Sequence, residues 1–180
     1  MTTTAAIEQS PSKNHPGTGS SERQENQELS QVVSFRLSNE EYGLDIMRVQ
    51  EIILISAITQ IPEVPDYIRG LINLRGKVIP IVDLRKRFGL SAGEATEQTR
   101  IIVVNAAKCT FGIVVDAVSQ VLRVDKGQIE PPPTGLTGLD RAYIHGLLKL
   151  GEKIMILLNM DNVLSSQEFS MLAKSSNSGT

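Results

Sequence analysis

Tyr67-Ile-Arg-Gly-Leu-Ile-Asn-Leu-Arg-Gly-Lys77 decides the fold, because it returns as Tyr143-Ile-His-Gly-Leu-Leu-Lys-Leu-Gly-Glu-Lys153 with Tyr, Ile, Gly, Leu, Leu and Lys unchanged. Each copy reads as a strand running into a tight hairpin turn, marked by glycine, before a second apolar run. The downstream residues repeat as well. Residues 78–82 lie over 154–158, and next come Asp83 and Asn159, both good helix N-caps. This match has an offset of 76 residues (67 to 143). Upstream, at an offset of 69, Val32-Val33 lie over Ile101-Ile102 and Tyr42-Gly43-Leu44 over Phe111-Gly112-Ile113, while Val49, Ile52 and Ile53 match Val118, Val121 and Leu122. The additional residues fall in 125–141, around Pro131-Pro-Pro133, where a loop absorbs them. The duplication, 32–88 and 101–164, predicts two similar β-subdomains. Each alone has a marginal core, so they are expected to pack together and share apolar surface.

Short Val-, Ile- and Leu-rich runs separated by Gly, Pro, Asn and Asp predict strands at 32–37, 42–46, 58–61, 70–74, 77–82, Arg100–Asn105, Thr110–Val115, Ile144–Leu150 and Lys153–Leu158. A short helix over 84–88 follows the Asp83 cap, and a longer one fits 161–172. Residues 1–30 and 174–180 are polar and poor in core-forming side chains, and are read as disordered tails around a folded region of 31–173.

Composition removes several function classes. The chain has 180 residues, 41% hydrophobic and 21% charged, with a net charge of −2, 4% aromatics and no Trp. No overall positive field draws it to nucleic acid or anionic lipid, and few rings are available to stack on bases. Cys109 stands alone, which excludes an intrachain disulfide and a thiolate metal cluster. There is no leader-like start and no apolar run long enough for a membrane span, so a cytoplasmic location is expected.

Catalytic groups are sparse too. His15 lies in the tail, and His145 is the repeat counterpart of Arg69 at a strand start, which favours a surface or packed histidine. Cys109 reads as an inert, partly buried thiol. Gly70–Gly76 lacks the Gly-Lys-Ser/Thr ending of a phosphate loop. The basic cluster Leu84-Arg-Lys-Arg-Phe88 reads as a solvated helix face, and Met47, Met155, Met160 and Met171 as gap-filling core residues. Strand alternation puts Leu71, Asn73 and Arg75 on one face, opposite Ile72 and Leu74. Glu51, read as lying in a linker, is free to reach a partner or pair with an arginine.

Glu41-Tyr-Gly-Leu-Asp-Ile46, Val49-Gln-Glu-Ile52, the 67–76 motif, Pro80-Ile-Val-Asp-Leu-Arg85, Phe111-Gly-Ile-Val-Val-Asp116 and Tyr143-Ile-His-Gly146 together resemble the CheW family of chemotaxis coupling proteins. The resemblance spans the whole region 31–173. It implies a mainly β fold of two intertwined five-stranded SH3-like β-barrels with short helices and a C-terminal helix. It also implies no enzymatic activity, no cofactor and no metal. The implied role is that of a scaffold joining chemoreceptors, the methyl-accepting chemotaxis proteins, to the regulatory domain of a CheA-type histidine kinase in bacterial chemosensory signalling arrays. Carried over by position, Val49, Glu51, Asn73 and Arg75 fall where the family faces the helical-hairpin tip of the receptor. Ile58, Arg69 and Val78 fall where the kinase docks. A second kinase contact, closing rings in the array, maps onto the proline-rich loop 130–136. Three alternatives stand beside this reading: an adaptor for a pathway controlling pili or a second messenger, a small β-barrel enzyme, and a nucleic-acid-binding β-barrel.

Overall fold

The computed structural model describes residues 28–106, 109–136 and 139–177. Eleven strands lie among them: β1 (Leu29–Leu37), β2 (Glu40–Asp45), β3 (Val49–Leu54), β4 (Ile68–Leu74), β5 (Lys77–Asp83), β6 (Arg100–Asn105), β7 (Thr110–Val115), β8 (Ala117–Asp125), β9 (Ile129–Glu130), β10 (Ile144–Leu150) and β11 (Lys153–Leu158). The helices are α1 (Leu84–Arg87), α2 (Leu139–Tyr143) and α3 (Ser166–Asn177).

The strands form two sheets, ordered β8-β1-β2-β11-β10-β9 and β3-β6-β7-β5-β4. With β1 matched to β6, β2 to β7, β3 to β8, β4 to β10 and β5 to β11, the two orders are the same except for β9. Each half therefore donates its first hairpin to the other half's sheet. Register confirms the equivalence: Leu122 pairs with Val32 as Ile53 pairs with Ile101, and Leu157 with Gly43 as Ile81 with Gly112.

This exchange explains why β6 carries four consecutive apolar residues. Ile101 and Val103 face the interior of one barrel, and Ile102 and Val104 face a larger core shared by both subdomains. All four are fully buried, as a strand covered on both faces requires. Val32, Leu148, Met155 and Leu157 fill the second barrel. The shared core contains Phe35, Tyr42, Val104, Phe111, Tyr143 and Leu164, so the halves do pack together as the duplication implies.

Several sequence expectations are corrected. Residues 58–61 form no strand: Thr59 makes a single bridge to Leu71, and prolines at 62 and 65 interrupt the run. The counterpart of that bridge is two-residue β9, which gives the β8-β1-β2-β11-β10-β9 sheet its sixth strand. The second strand stops at Asp45, whose carboxylate accepts from the Met47 N–H at 2.9 Å and turns the chain into a 3-10 helix, Ile46–Arg48. Glu51 lies within β3, not in a linker. The 161–172 helix is split: Met160–Asn162 is 3-10, and α3 begins at Ser166 because Ser165 and Glu168 form reciprocal capping bonds of 3.2 and 2.6 Å. Residues 29 and 30, read as tail, belong to β1, and α3 runs into the expected C-terminal tail as far as Asn177. Residues 1–27 and 178–180 lie outside the described residues. Met155 and Met160 are buried, whereas Met47 and Met171 are exposed.

Gly43 and Gly112 sit where the exchanged hairpins meet β11 and β5. A Cβ on Gly112 would lie 2.6 Å from Ile81 Cδ1 and 2.7 Å from Ile101 Cγ2, and one on Gly43 would lie 2.6 Å from Val32 Cγ1. Overpacking of this kind costs about 1–3 kcal/mol. Gly112→Ala is therefore expected to lower unfolding free energy by that amount in denaturant titration. Gly135→Ala, which meets nothing within 4 Å, is expected to change it by less than about 0.5 kcal/mol.

Candidate functional site

The β4–β5 hairpin turns at Arg75 and Gly76, whose φ values of 52° and 84° lie in the left-handed region. Asn73 shapes this turn, because its Oδ1 accepts from the Gly76 N–H at 2.9 Å. The repeat puts Gly151, with φ 63°, in the place of Arg75. A conformation that strains an L-residue by roughly 1–2 kcal/mol is thus held by an arginine where the other half has glycine. The Arg75 guanidinium donates to both Glu51 oxygens, at 2.7 and 3.0 Å. Glu51 is on β3 and Arg75 at the end of β4, the two outer strands of one sheet, so the pair ties the barrel's edges together. Arg75 remains 76% exposed. Val49 points inward instead and packs against the shared core.

Between β5, the start of β7 and α3 runs a groove of about 440 Å³, lined by Gln50, Val78, Pro80, Cys109, Phe169 and Leu172, among others. Gln50 adjoins both Val49 and Glu51, and Val78 is the cross-strand partner of Asn73. Burial pushes the Cys109 thiol up to about 11, so it stays protonated near neutral pH and forms a weakly polar wall. The structure thus gathers Glu51, Asn73 and Arg75 at one end of the hairpin beside this groove.

The positions expected to face the kinase are divided. Ile58 is half-buried in the barrel core and approaches Gly70, and Arg69 is the bulged residue between Ile68 and Gly70. Val78 is 48% exposed at the opposite end of the hairpin, within the groove. Of the 130–136 loop, Glu130 pairs with Lys149 at 2.9 Å. His145 is exposed at the bulge of β10.

The basic cluster after β5 is not a solvated face. Arg85 donates through Nε to Asp116 at 2.8 Å, and its Nη2 also bonds that carboxylate. Arg87 pairs with Glu168 of α3 at 3.2 Å and lies over the rings of Tyr67 and Tyr143, at 4.3 and 5.3 Å. Only Lys86 is left on the surface. Among the described residues no group of His, Cys, Asp or Glu side chains is arranged to hold a metal, and no helix is long and apolar enough to cross a membrane.

The CheW-like domain model matches residues 31–168. The chain belongs to the CheW family. It is 44% identical over 138 residues to the chemotaxis protein CheW of Klebsiella aerogenes, covering 77% of this chain and 83% of that one. It is 36% identical over 154 residues to the CheW of Treponema pallidum, covering 82% and 89%. The crystal structure of the scaffolding protein TtCheW from Thermoanaerobacter tengcongensis superposes with a TM-score of 0.72 at 40% identity, covering 77% of this chain and 90% of that one. The two β-subdomains and the C-terminal helix are thus those of a CheW fold, and by homology the chain is a chemotaxis coupling or scaffold protein.

Burial raises the Asp116 pKa on its own account, but bonds from Arg85 and from the Ser38 N–H, with the charges of Arg85 and Arg36, hold the carboxyl below the ordinary 3.8. A depressed folded-state pKa contributes stability above the unfolded value that is lost as pH falls through the folded one. Asp116→Asn is accordingly expected to be less stable than the parent by a constant margin above about pH 5. That margin should shrink below 3.8, measured by denaturant midpoints across pH.

Proposed function

We propose that this CheW-family chain is a non-enzymatic adaptor that couples chemoreceptors to a CheA-type histidine kinase, working in the cytoplasm against membrane-bound receptor arrays. The groove between β5 and α3 carries the reading, because the family's receptor-facing positions lie beside it. Its apolar walls suit an amphipathic helical tip, and the Glu51–Arg75 pair at the hairpin end supplies charge to fix the orientation. Val49 contributes by holding the start of β3 against the core. The kinase regulatory domain is assigned to Arg69 and Val78 of the β4–β5 hairpin and to Ile58 of the segment that Thr59 bridges to it. No observation favours pili, a second messenger or nucleic acid over this reading.

Arg75→Gly separates binding from folding. Glycine relieves the left-handed backbone while removing an exposed ion pair worth under about 1 kcal/mol, so stability is expected to stay within roughly 0.5 kcal/mol. Affinity for a receptor-tip fragment is expected to fall by about 1–3 kcal/mol, the value of a charged hydrogen bond, with kinase-domain affinity unchanged. Calorimetric titration against each partner decides it: an unaltered receptor affinity removes Arg75 from the receptor site.

Val78 tests the division between the two surfaces. Val78→Asp is expected to weaken binding of the isolated kinase regulatory domain tenfold or more, about 1.4 kcal/mol, and, because Val78 also lines the groove, to weaken receptor binding as well. A loss confined to the receptor would move Val78 to the receptor surface.

A further inference from the structure

We infer that the two halves of this chain are obligate binding partners whose association does not depend on the peptide link between them. In the described residues, β1–β2 pairs only with β8 and β11 of the second half, and β6–β7 only with β3 and β5 of the first. Neither hairpin is hydrogen-bonded to the other strands of its own half. Ion pairs also join the halves, among them Glu28–Lys126, Arg48–Asp161, Arg85–Asp116 and Arg87–Glu168. The shared core draws Phe35, Tyr42 and Leu84 from one half and Val104, Phe111 and Leu164 from the other.

The covalent connection contributes little by comparison. After α1 the chain runs to β6 without a regular element, and residues 91–98 are exposed throughout. Its bonds are largely local, such as Thr96 N–H to Thr99 Oγ1 at 2.8 Å, apart from two exposed ones, Arg85 Nη1 to the Ser91 carbonyl at 2.9 Å and Arg36 Nη2 to Gln98 Oε1 at 3.3 Å. Separated, the first half would expose β3 and β5 with an unfilled gap two strands wide, and the second would expose β8 and β11 in the same way. Each such surface is a row of unpaired backbone groups beside an open apolar core, and the only shape that fits it is the missing hairpin. The groove beside α3 is built from both halves too, with Gln50, Val78 and Pro80 from one and Cys109, Phe169 and Leu172 from the other. It exists only in the assembled pair.

The experiment inserts a protease recognition sequence between Glu94 and Ala95 of the full chain and cuts the folded protein. The cut material is expected to elute as a single species carrying both fragments and to keep its far-ultraviolet circular dichroism. Its melting temperature is then expected to rise with protein concentration, because folding has become bimolecular, whereas that of the uncut chain does not move. Refolding an equimolar mixture of the denatured fragments should restore the same species. A cut protein whose melting temperature is independent of concentration, or either fragment melting cooperatively alone, would show independently folding halves. Loss of structure on cutting at high micromolar concentration would show that the link itself holds the fold. Either result overturns the inference.

Discussion

Everything in this molecule depends on the exchange of the two leading hairpins. A strand inserted into a foreign sheet must satisfy its backbone from both neighbours and bury both of its faces. β6 and β7 meet that requirement with the runs Ile101–Val104 and Phe111–Val115, nearly all of it without solvent contact. Where β7 runs parallel to β5, the side chains of Ile81 and Ile101 fill the space that a Cβ at Gly112 would need, and where β2 runs parallel to β11, those of Val32, Met155 and Leu157 fill it at Gly43. Two glycines 69 residues apart thus answer one packing constraint imposed twice.

The shared core is also where charge enters the interior. Arg87 is 12% exposed, its Nε has no hydrogen-bond partner, and its compensation comes from Glu168 and two tyrosine faces. Those tyrosines, Tyr67 and Tyr143, are repeat equivalents, so a single guanidinium is held between the two copies of one motif. Glu168 both caps α3 and binds Arg87, which fixes the helix against the shared core, where Phe169 meets Phe111 edge-on with centroids 6.3 Å apart. A buried ion pair of this kind adds little net stability over apolar packing. Its effect is positional: it sets where α3 lies, and hence the width of the groove beside it.

Legibility in the sequence tracks apolar continuity. The strands Arg100–Asn105, Thr110–Val115 and Lys153–Leu158 are readable to the residue because each holds an uninterrupted apolar run bounded by polar residues or glycine. The sheet-edge strands β3 and β8 are not legible in the same way. Their solvent faces carry Gln50, Ser119, Gln120 and Arg123, and a bulge after Val49 breaks the alternation. The signal that could find them is the 69-residue match itself, which puts Val118, Val121 and Leu122 over Val49, Ile52 and Ile53. The roles of Arg85 and Arg87 are illegible for a different reason. Their partners are 31 and 81 residues away, and no local pattern announces a pairing at that range.

In the adaptor role proposed for this chain, the physical task is to hold two surfaces in fixed relation. A partner's conformational state is transmitted through such a scaffold only if the two states bind it with different free energies. The hairpin β4–β5 is suited to that, because one short, two-stranded element carries Arg69 at one end and Asn73, Arg75 and Val78 at the other. Its turn is tied to β3 by Glu51, and its far end is tied through the Asp83 N–H to the Tyr67 carbonyl at 2.7 Å. Any ligand that shifts the turn must therefore strain the pairing along the whole element, including the bulge at Arg69. In a barrel only five strands around, with its interior filled by Ile72, Ile79, Ile81 and Ile101, that strain has no soft core in which to dissipate.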